Sequence, residues 1–117
     1  IEIVVMAGWM KIMSSKFVNA FKNKIINIHP SLLPSFKGNN AIKQAITNGS
    51  KITGCSVHFV EPEVDSGSLI MQAAFSISDQ DDIDSITMKI HLLEHQILPL
   101  SISQAGYMLR NRFKGSD

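Results

Sequence analysis

The sequence predicts an α/β protein with a mixed, mostly parallel sheet flanked by helices. Short apolar runs typical of buried strands alternate with segments of helical periodicity. Two of the later runs are joined by a short, turn-rich link, which predicts an antiparallel hairpin. The chain has 117 residues, of which 44% are hydrophobic and 18% are charged, so it can form one hydrophobic core. We therefore expect a single domain over residues 1–117, with the element order β-α-β-α-β-β-α.

The first two predicted strands enclose the first predicted helix. The β-branched run from Ile1 to Met6 is typical of a strand buried on both faces, as in a parallel sheet. Ser14 or Ser15 can cap a helix that continues to about Asn23. The apolar segment Lys24–Ile28 then predicts the second strand.

A loop and a short helix follow the second strand. The segment His29–Pro34 contains two prolines, which remove two backbone donors and restrict the residues before them. It therefore predicts a shaped loop at a strand end. Asn39 or Asn40 can cap a helix over Ala41–Thr47, and the pair Asn48-Gly49 can end that helix.

The third and fourth strands form the predicted hairpin. Thr53–Val60 predicts the third strand, and Ser68–Ile77 predicts the fourth. The turn-rich segment Glu61–Gly67 between them is short enough to join two antiparallel neighbours.

A long helix completes the predicted order. Its acidic start, Asp79–Asp84, is favourable because anions near a helix N-terminus are stabilising. Pro99 is expected to kink the helix. One apolar stripe at helical spacing is expected to face the core, and its residues are Ile83, Ile86, Ile90, Leu93, Ile97 and Leu100.

Composition excludes several classes of function. Eleven Lys and Arg against ten Asp and Glu give a net charge of +1, which does not favour a nucleic-acid partner or a basic membrane anchor. No apolar run reaches the ~18 residues of a membrane span. Cys55 is the only cysteine, so no intrachain disulfide can form, and we expect a cytoplasmic protein.

Three polar residues lie at or beside predicted strand ends, where open α/β sheets bind ligands. Asn27 could donate to a developing oxyanion, His29 could move a proton, and Asp65 could orient that imidazole. Spacing alone favours structural roles: a capping asparagine, a histidine bonded to a backbone carbonyl and an aspartate in a turn. An acyl-transfer site is the alternative.

The amino-acid sequences of these loops favour the acyl-transfer site over the structural roles. The run N-I-H-P-S-L-L-P at 27–34, S-V-H-F-V at 56–60 and D-S-G at 65–67 resembles the formyltetrahydrofolate-dependent formyltransferase family. The resemblance covers the chain from Val4 to about Gly106. It implies a Rossmann-like fold that is incomplete at the N-terminus. It also implies transfer of a formyl group from 10-formyltetrahydrofolate, with no metal required.

The resemblance also implies roles for individual residues. Asn27, His29 and Asp65 match the catalytic trio. Lys11 stands where arginine is common; both are cationic, but lysine lacks the planar fork of a guanidinium group. His91 stands where glutamine is common. The residues implied to bind the folate are Met10, Lys11, Ile12, Met13, Val18, Asn27, Glu61, Pro62, Glu63, Val64 and Asp65. The residues implied to bind the acceptor substrate are His91, Leu92, Leu93 and Glu94.

Within the family, Pro30 favours the members that formylate the amine of glycinamide ribonucleotide in purine biosynthesis. The alternatives are a methionyl-tRNA formyltransferase, a formyltetrahydrofolate hydrolase or a non-catalytic folate-binding fragment. The family also has an N-terminal strand and a glycine-rich loop that hold the ribonucleotide phosphate, and this sequence shows neither. We therefore expect a C-terminal portion that is inactive alone, and the sequence leaves monomer and homodimer open.

Two other patterns favour structural roles. His91, Glu94 and His95 match the H-x-x-E-H spacing of a zinc site, but that chemistry needs a further acidic ligand on a downstream helix, so we expect no metal. His58 in the third strand is expected to be structural, and Cys55 is expected to be an inert buried thiol.

Overall fold

The computed structural model describes residues 4–7, 25–60 and 68–115 of the chain. The strands in this part are β1 (Val4–Ala7), β2 (Ile25–His29), β3 (Ile52–Phe59) and β4 (Leu69–Ser76), and the helices are α1 (Ala41–Thr47) and α2 (Ile83–Gly115). The helix predicted to end near Asn23 lies outside the described residues. No helix within the described ranges is long and apolar enough to cross a membrane.

The four strands form one mixed sheet in the order β1-β2-β3-β4. β1 pairs with β2 in parallel, while β2 with β3 and β3 with β4 are antiparallel. The predicted hairpin is therefore confirmed. A register shift between Val57 and His58 interrupts the β3–β4 pairing and is typical of a β-bulge.

One face of the sheet packs on α2 and forms the hydrophobic core. Alternate residues of a strand point to the same face, so Ile26 and Ile28 on β2 join Val57 and Phe59 on β3. Cys55 lies in the same cluster, and its burial, with a smaller contribution from the Glu94 carboxylate, raises its thiol pKa to about 11. At neutral pH this cysteine is a protonated, apolar side chain.

The opposite face of the same strands is polar yet buried. Asn27 lies opposite His58 in the antiparallel register, and His29 lies opposite Ser56. All four side chains are less than a tenth exposed. Because buried polar groups require partners, this face is where ligands or a hydrogen-bond network would be expected.

The predicted apolar stripe of α2 is correct in its middle and wrong at its ends. Ile86, Ile90 and Ile97 are buried, but Ile83 is 47% exposed and Leu100 is 60% exposed. The helix continues past Pro99, and burial passes to the next positions at a spacing of four: Ser101, Ala105 and Leu109. The kink itself remains a prediction.

Helix α1 has the predicted bounds but not the predicted cap. Asn40 occupies the N-cap position in a left-handed conformation, with φ of 61°, and its side chain makes no capping hydrogen bond. Instead, the Gln44 side chain donates to the Asn39 carbonyl at 2.7 Å. Gly49, with φ of 68°, follows the C-terminal end as predicted.

Candidate active site

Asn27 and His29 lie at the carboxyl end of β2 on the buried polar face. Two-residue alternation places both side chains on the same side of the strand, and their exposed fractions are 7% and 1%. Among the described residues, the Oδ1 atom of Asn27 has no hydrogen-bond partner. An unpartnered buried acceptor costs about 1–3 kcal/mol, which is tolerated chiefly where a ligand or water supplies the missing donor.

The His29 ring is oriented by the backbone of the loop that follows it. Its Nε2 atom donates to the carbonyl oxygen of Phe36 at 2.9 Å. A carbonyl oxygen only accepts, so Nε2 carries a hydrogen and any second donation from the ring requires protonation at Nδ1. This is the backbone contact that spacing alone favoured, and it also holds the ring in one orientation for proton transfer.

Residues 30–36, called here the β2 loop, are shaped by short hydrogen bonds. The Oγ of Ser31 donates to the carbonyl of Ser35 at 2.6 Å and lies 3.4 Å from that of Phe36. The Leu33–Pro34 peptide bond is cis, and Phe36 adopts a positive φ of 55°. Such a conformation is uncommon for a residue with a side chain, and it directs the Phe36 carbonyl toward His29.

The β2 loop is also tied to the neighbouring strands by two residues that sequence reasoning missed. Ser56 accepts the Leu33 N–H at 3.0 Å and donates to the Ser31 carbonyl at 2.6 Å. Gln72 on β4 donates from Nε2 to the Leu33 carbonyl and to the Ser56 Oγ, each at 3.0 Å. The only signal in the sequence was a polar residue in each strand, which becomes informative once the register is known.

The predicted acceptor-binding segment lies on the N-terminal half of α2. The His91 side chain is 65% exposed, and its Nε2 lies 4.0 Å from Oε1 of Glu94, whose side chain is 20% exposed. Leu92 is exposed, whereas Leu93 packs against the core cluster.

Glu94 occupies a distinct electrostatic environment within that segment. Burial raises the pKa of its carboxyl group, and the nearby His91, His95 and His29 rings oppose that rise. Glu94 and His29 therefore lie within electrostatic reach of each other, although they belong to different elements.

The remaining predicted site residues lie outside the described ranges and stay predictions. They are Met10, Lys11, Ile12, Met13, Val18, Glu61, Pro62, Glu63, Val64 and Asp65. Within residues 4–7, 25–60 and 68–115, no group of three or more His, Cys, Asp or Glu side chains is arranged to hold a metal ion.

Comparison with known proteins gives consistent matches. The family model for formyl transferases matches residues 1–102. The trifunctional purine biosynthetic protein adenosine-3 of Homo sapiens is 46% identical over 102 residues, which are 87% of this chain and 10% of that protein. The chain thus spans only about a tenth of that relative.

Solved structures share the fold. Phosphoribosylglycinamide formyltransferase from Anaplasma phagocytophilum superposes with a TM-score of 0.85 at 47% identity, covering 88% of this chain and 50% of that one. A formyltetrahydrofolate deformylase from Pseudomonas syringae superposes with a TM-score of 0.80 at 32% identity, covering 86% of this chain and 34% of that one. The chain spans half of the former and about a third of the latter.

Proposed function

Because this chain belongs to the formyl transferase family, we propose that the protein containing it transfers a formyl group from 10-formyltetrahydrofolate to the amine of glycinamide ribonucleotide. This would be a step of purine biosynthesis. The observation that carries the proposal is the buried pair Asn27 and His29 at the end of β2. The fold that positions this pair is shared with a phosphoribosylglycinamide formyltransferase.

The Asn27 amide suits a formyl carbonyl and an attacking amine. Its Nδ2 can donate to the oxygen that becomes negative, while its Oδ1, unpartnered among the described residues, can accept from an amine N–H. The folate supplies the formyl group when it is bound. A substrate amine would thus satisfy a buried acceptor that the described protein groups leave unsatisfied.

His29 and Asp65 would handle the proton and the developing charge. The amine nitrogen attacks the formyl carbon, a new C–N bond forms, and the carbonyl electron pair moves to oxygen, where Asn27 and His29 stabilise it. As the original bond from carbon to the folate nitrogen breaks, one proton passes from the attacking nitrogen to the leaving one. By resemblance, Asp65 assists this transfer through a water molecule and holds His29.

This mechanism uses only hydrogen-bond donors and proton carriers, which can activate a formamide-like carbonyl without a metal. In this proposal the protein binds two small molecules, the folate and the ribonucleotide. A cytoplasmic location belongs to the same proposal. The implied folate contacts at Met10–Met13 and Glu61–Asp65 and the implied acceptor contacts at His91–Glu94 are part of it as well.

Hydrolytic removal of the formyl group from the folate is the second candidate function, because the deformylase from Pseudomonas syringae shares the fold. There, water would take the place of the amine at the same site. Pro30, directly after His29, favours the glycinamide members over the hydrolase, as the family resemblance implies. The two activities differ in one measurable respect, which is whether an acceptor is needed.

The test is an assay of the intact protein with 10-formyltetrahydrofolate, with and without glycinamide ribonucleotide. We expect tetrahydrofolate release only when the acceptor is present, and mass spectrometry should find the formylated acceptor in equal amount. Release without an acceptor would instead assign the hydrolase, and no release in either case would refute both activities.

An amide-to-acid substitution tests the assigned site. Asn27→Asp keeps the size but removes the Nδ2 donor, so we expect kcat to fall about 10²- to 10³-fold, as for loss of one oxyanion donor. Asn39→Asp makes the same change at an exposed position and should leave kcat nearly unchanged. Equal kcat values for the two variants would remove Asn27 from the mechanism.

A further inference from the structure

We propose that Gln72 is a positioning residue for the reaction: from the neighbouring hairpin, its side-chain amide holds the β2 loop in the shape that orients His29. Gln72 lies on β4, which pairs with β3 and not with β2. It reaches across β3 to the β2 loop, 39 positions away in the sequence. The inference rests on the formyl transfer proposed above.

A single amide group of Gln72 bridges two different parts of the molecule. Its Nε2 lies 3.0 Å from the Leu33 carbonyl oxygen in the β2 loop and 3.0 Å from Ser56 Oγ on β3. The two hydrogens of one primary amide can serve both acceptors at once. Gln72 thus fixes the distance between the loop and the strand directly opposite His29.

Ser56 extends this bridge to the other side of the β2 loop. Its Oγ is fully buried, accepts the Leu33 N–H at 3.0 Å and donates to the Ser31 carbonyl at 2.6 Å. With the donation from Gln72, the hydroxyl group uses its one donor and both acceptor positions. Without the Gln72 donor, the buried Ser56 hydroxyl and the Leu33 carbonyl oxygen would each lose one hydrogen bond. The loop would then shift to find other partners for them.

The same loop carries the group that orients His29. Ser31, held by Ser56, directs its own hydroxyl group to the Ser35 carbonyl and lies within reach of the Phe36 carbonyl. The Phe36 carbonyl is in turn the acceptor of His29 Nε2 at 2.9 Å. A shift of the loop by a fraction of an ångström would therefore move the acceptor that sets the ring orientation, and rates respond strongly to such displacements.

The experiment compares three substitutions of Gln72 in the intact protein with a control on the same strand. Gln72→Leu removes the donor, Gln72→Glu replaces it with an acceptor, and Gln72→Lys keeps a donor of similar reach. The control is Ser76→Ala, also exposed on β4. Two quantities are measured: steady-state kcat and KM for both substrates, and the exchange rate of the Leu33 amide hydrogen by NMR.

We expect kcat of the Leu and Glu variants to fall at least about tenfold, while KM for both substrates stays within about threefold, because geometry is lost and binding is not. Their Leu33 amide should exchange at least about tenfold faster. The Lys variant and the control should resemble the parent protein. If Gln72 only stabilised its strand, kcat and Leu33 exchange of the Lys variant would not differ from those of the Leu and Glu variants.

The results that overturn the inference are equally specific. Each of three results would overturn the inference. They are an unchanged kcat in the Leu and Glu variants, an unchanged Leu33 exchange rate, and a Lys variant with a kcat as low as that of the Leu variant. If the parent protein transfers no formyl group, the proposed function fails. The exchange measurement then decides alone: faster exchange in the Leu and Glu variants supports Gln72 as the residue that holds the loop, and unchanged exchange refutes it.

Discussion

The Nε2 atom of His29 donates to the carbonyl oxygen of Phe36, seven residues later in the chain, across a distance of 2.9 Å. Phe36 makes this contact with a φ of 55°, in the left-handed region that few residues with side chains adopt. The orientation of the candidate catalytic histidine therefore depends on one unusual backbone conformation in a neighbouring loop.

That dependence can be tested with two isomeric side chains at position 36. Isoleucine is branched at Cβ and is strongly disfavoured at positive φ, whereas leucine is not branched there. We expect Phe36→Ile to be less stable than Phe36→Leu by about 1–2 kcal/mol and slower in kcat by about tenfold. Urea unfolding and steady-state kinetics measure both, and identical kcat values for the pair would show that the conformation is not needed.

Asp65 is the member of the predicted trio that lies outside the described residues. Asp65→Asn keeps the size and removes the charge that, by family resemblance, faces His29 and accepts a proton through water. We expect kcat to fall about 10²- to 10⁴-fold with little change in folate affinity. Asp84→Asn, an exposed aspartate on α2, is the control. A kcat of Asp65→Asn within about tenfold of the parent would leave Asp65 with only a turn-forming role.

Two glycines should respond to alanine in opposite directions. At Gly54 on β3, a new Cβ would overlap the Ala73 carbonyl oxygen, so the paired strands β3 and β4 would have to move apart. We expect Gly54→Ala to lower the free energy of unfolding by about 2–4 kcal/mol. At Gly106 on α2, the nearest atom would be an Arg110 side-chain nitrogen at 3.6 Å, an ordinary contact.

Gly106→Ala should therefore raise the free energy of unfolding by about 0.5–1 kcal/mol, because alanine favours the helix over glycine. Equilibrium urea denaturation of both variants checks the pair of expectations. A neutral Gly54→Ala would show that the Ala73 carbonyl oxygen does not occupy the space that the new Cβ needs.

Asp81 makes part of the stability dependent on pH. The Lys89 ammonium at 2.8 Å, the Ser78 N–H and the Ser85 hydroxyl hold the pKa of its carboxyl group well below the usual range. A lowered pKa in the folded state means that the ionised form stabilises the fold above about pH 4, and that this contribution is lost as the pH falls further.

We expect Asp81→Asn to lower the urea midpoint at pH 7 and to converge with the parent protein toward pH 2. Asp79→Asn, two residues earlier in the same turn, serves as the control. A midpoint difference that is independent of pH would assign the effect to packing and not to the charge of Asp81.

The sequence was sufficient for the elements whose signals are local. The apolar run of β2, the bounds of α1 and the antiparallel pairing of β3 with β4 were all predicted, because each depends on a few adjacent residues. Asn27 and His29 were expected at or beside the end of the second strand, but their shared buried face becomes evident only because the observed strand extends to His29. The predicted capping bond of Asn40 was wrong because propensity does not reveal that this residue takes a left-handed backbone conformation.

The end of the α2 stripe shows why residue type can mislead. Leu100 and Ser101 are adjacent, and either can continue the pattern after Ile97, but the serine is the one that is buried. Its hydroxyl group donates to the Ile97 carbonyl at 2.6 Å, so burial leaves no unsatisfied donor. Ser56 and Gln72 were missed for a related reason: their partners lie 16 to 39 positions away and become evident only from the sheet register.

The bridge from Gln72 to the β2 loop has a consequence for the order in which the chain folds. Closing a contact across 39 positions costs more chain entropy than forming a helix or a hairpin turn, so local elements have a head start. The β2 loop gains its full set of hydrogen bonds only after β4 has joined the sheet. The helix and the hairpin can therefore be native while the geometry around His29 is still unformed, so we expect the candidate active site to assemble after these local elements.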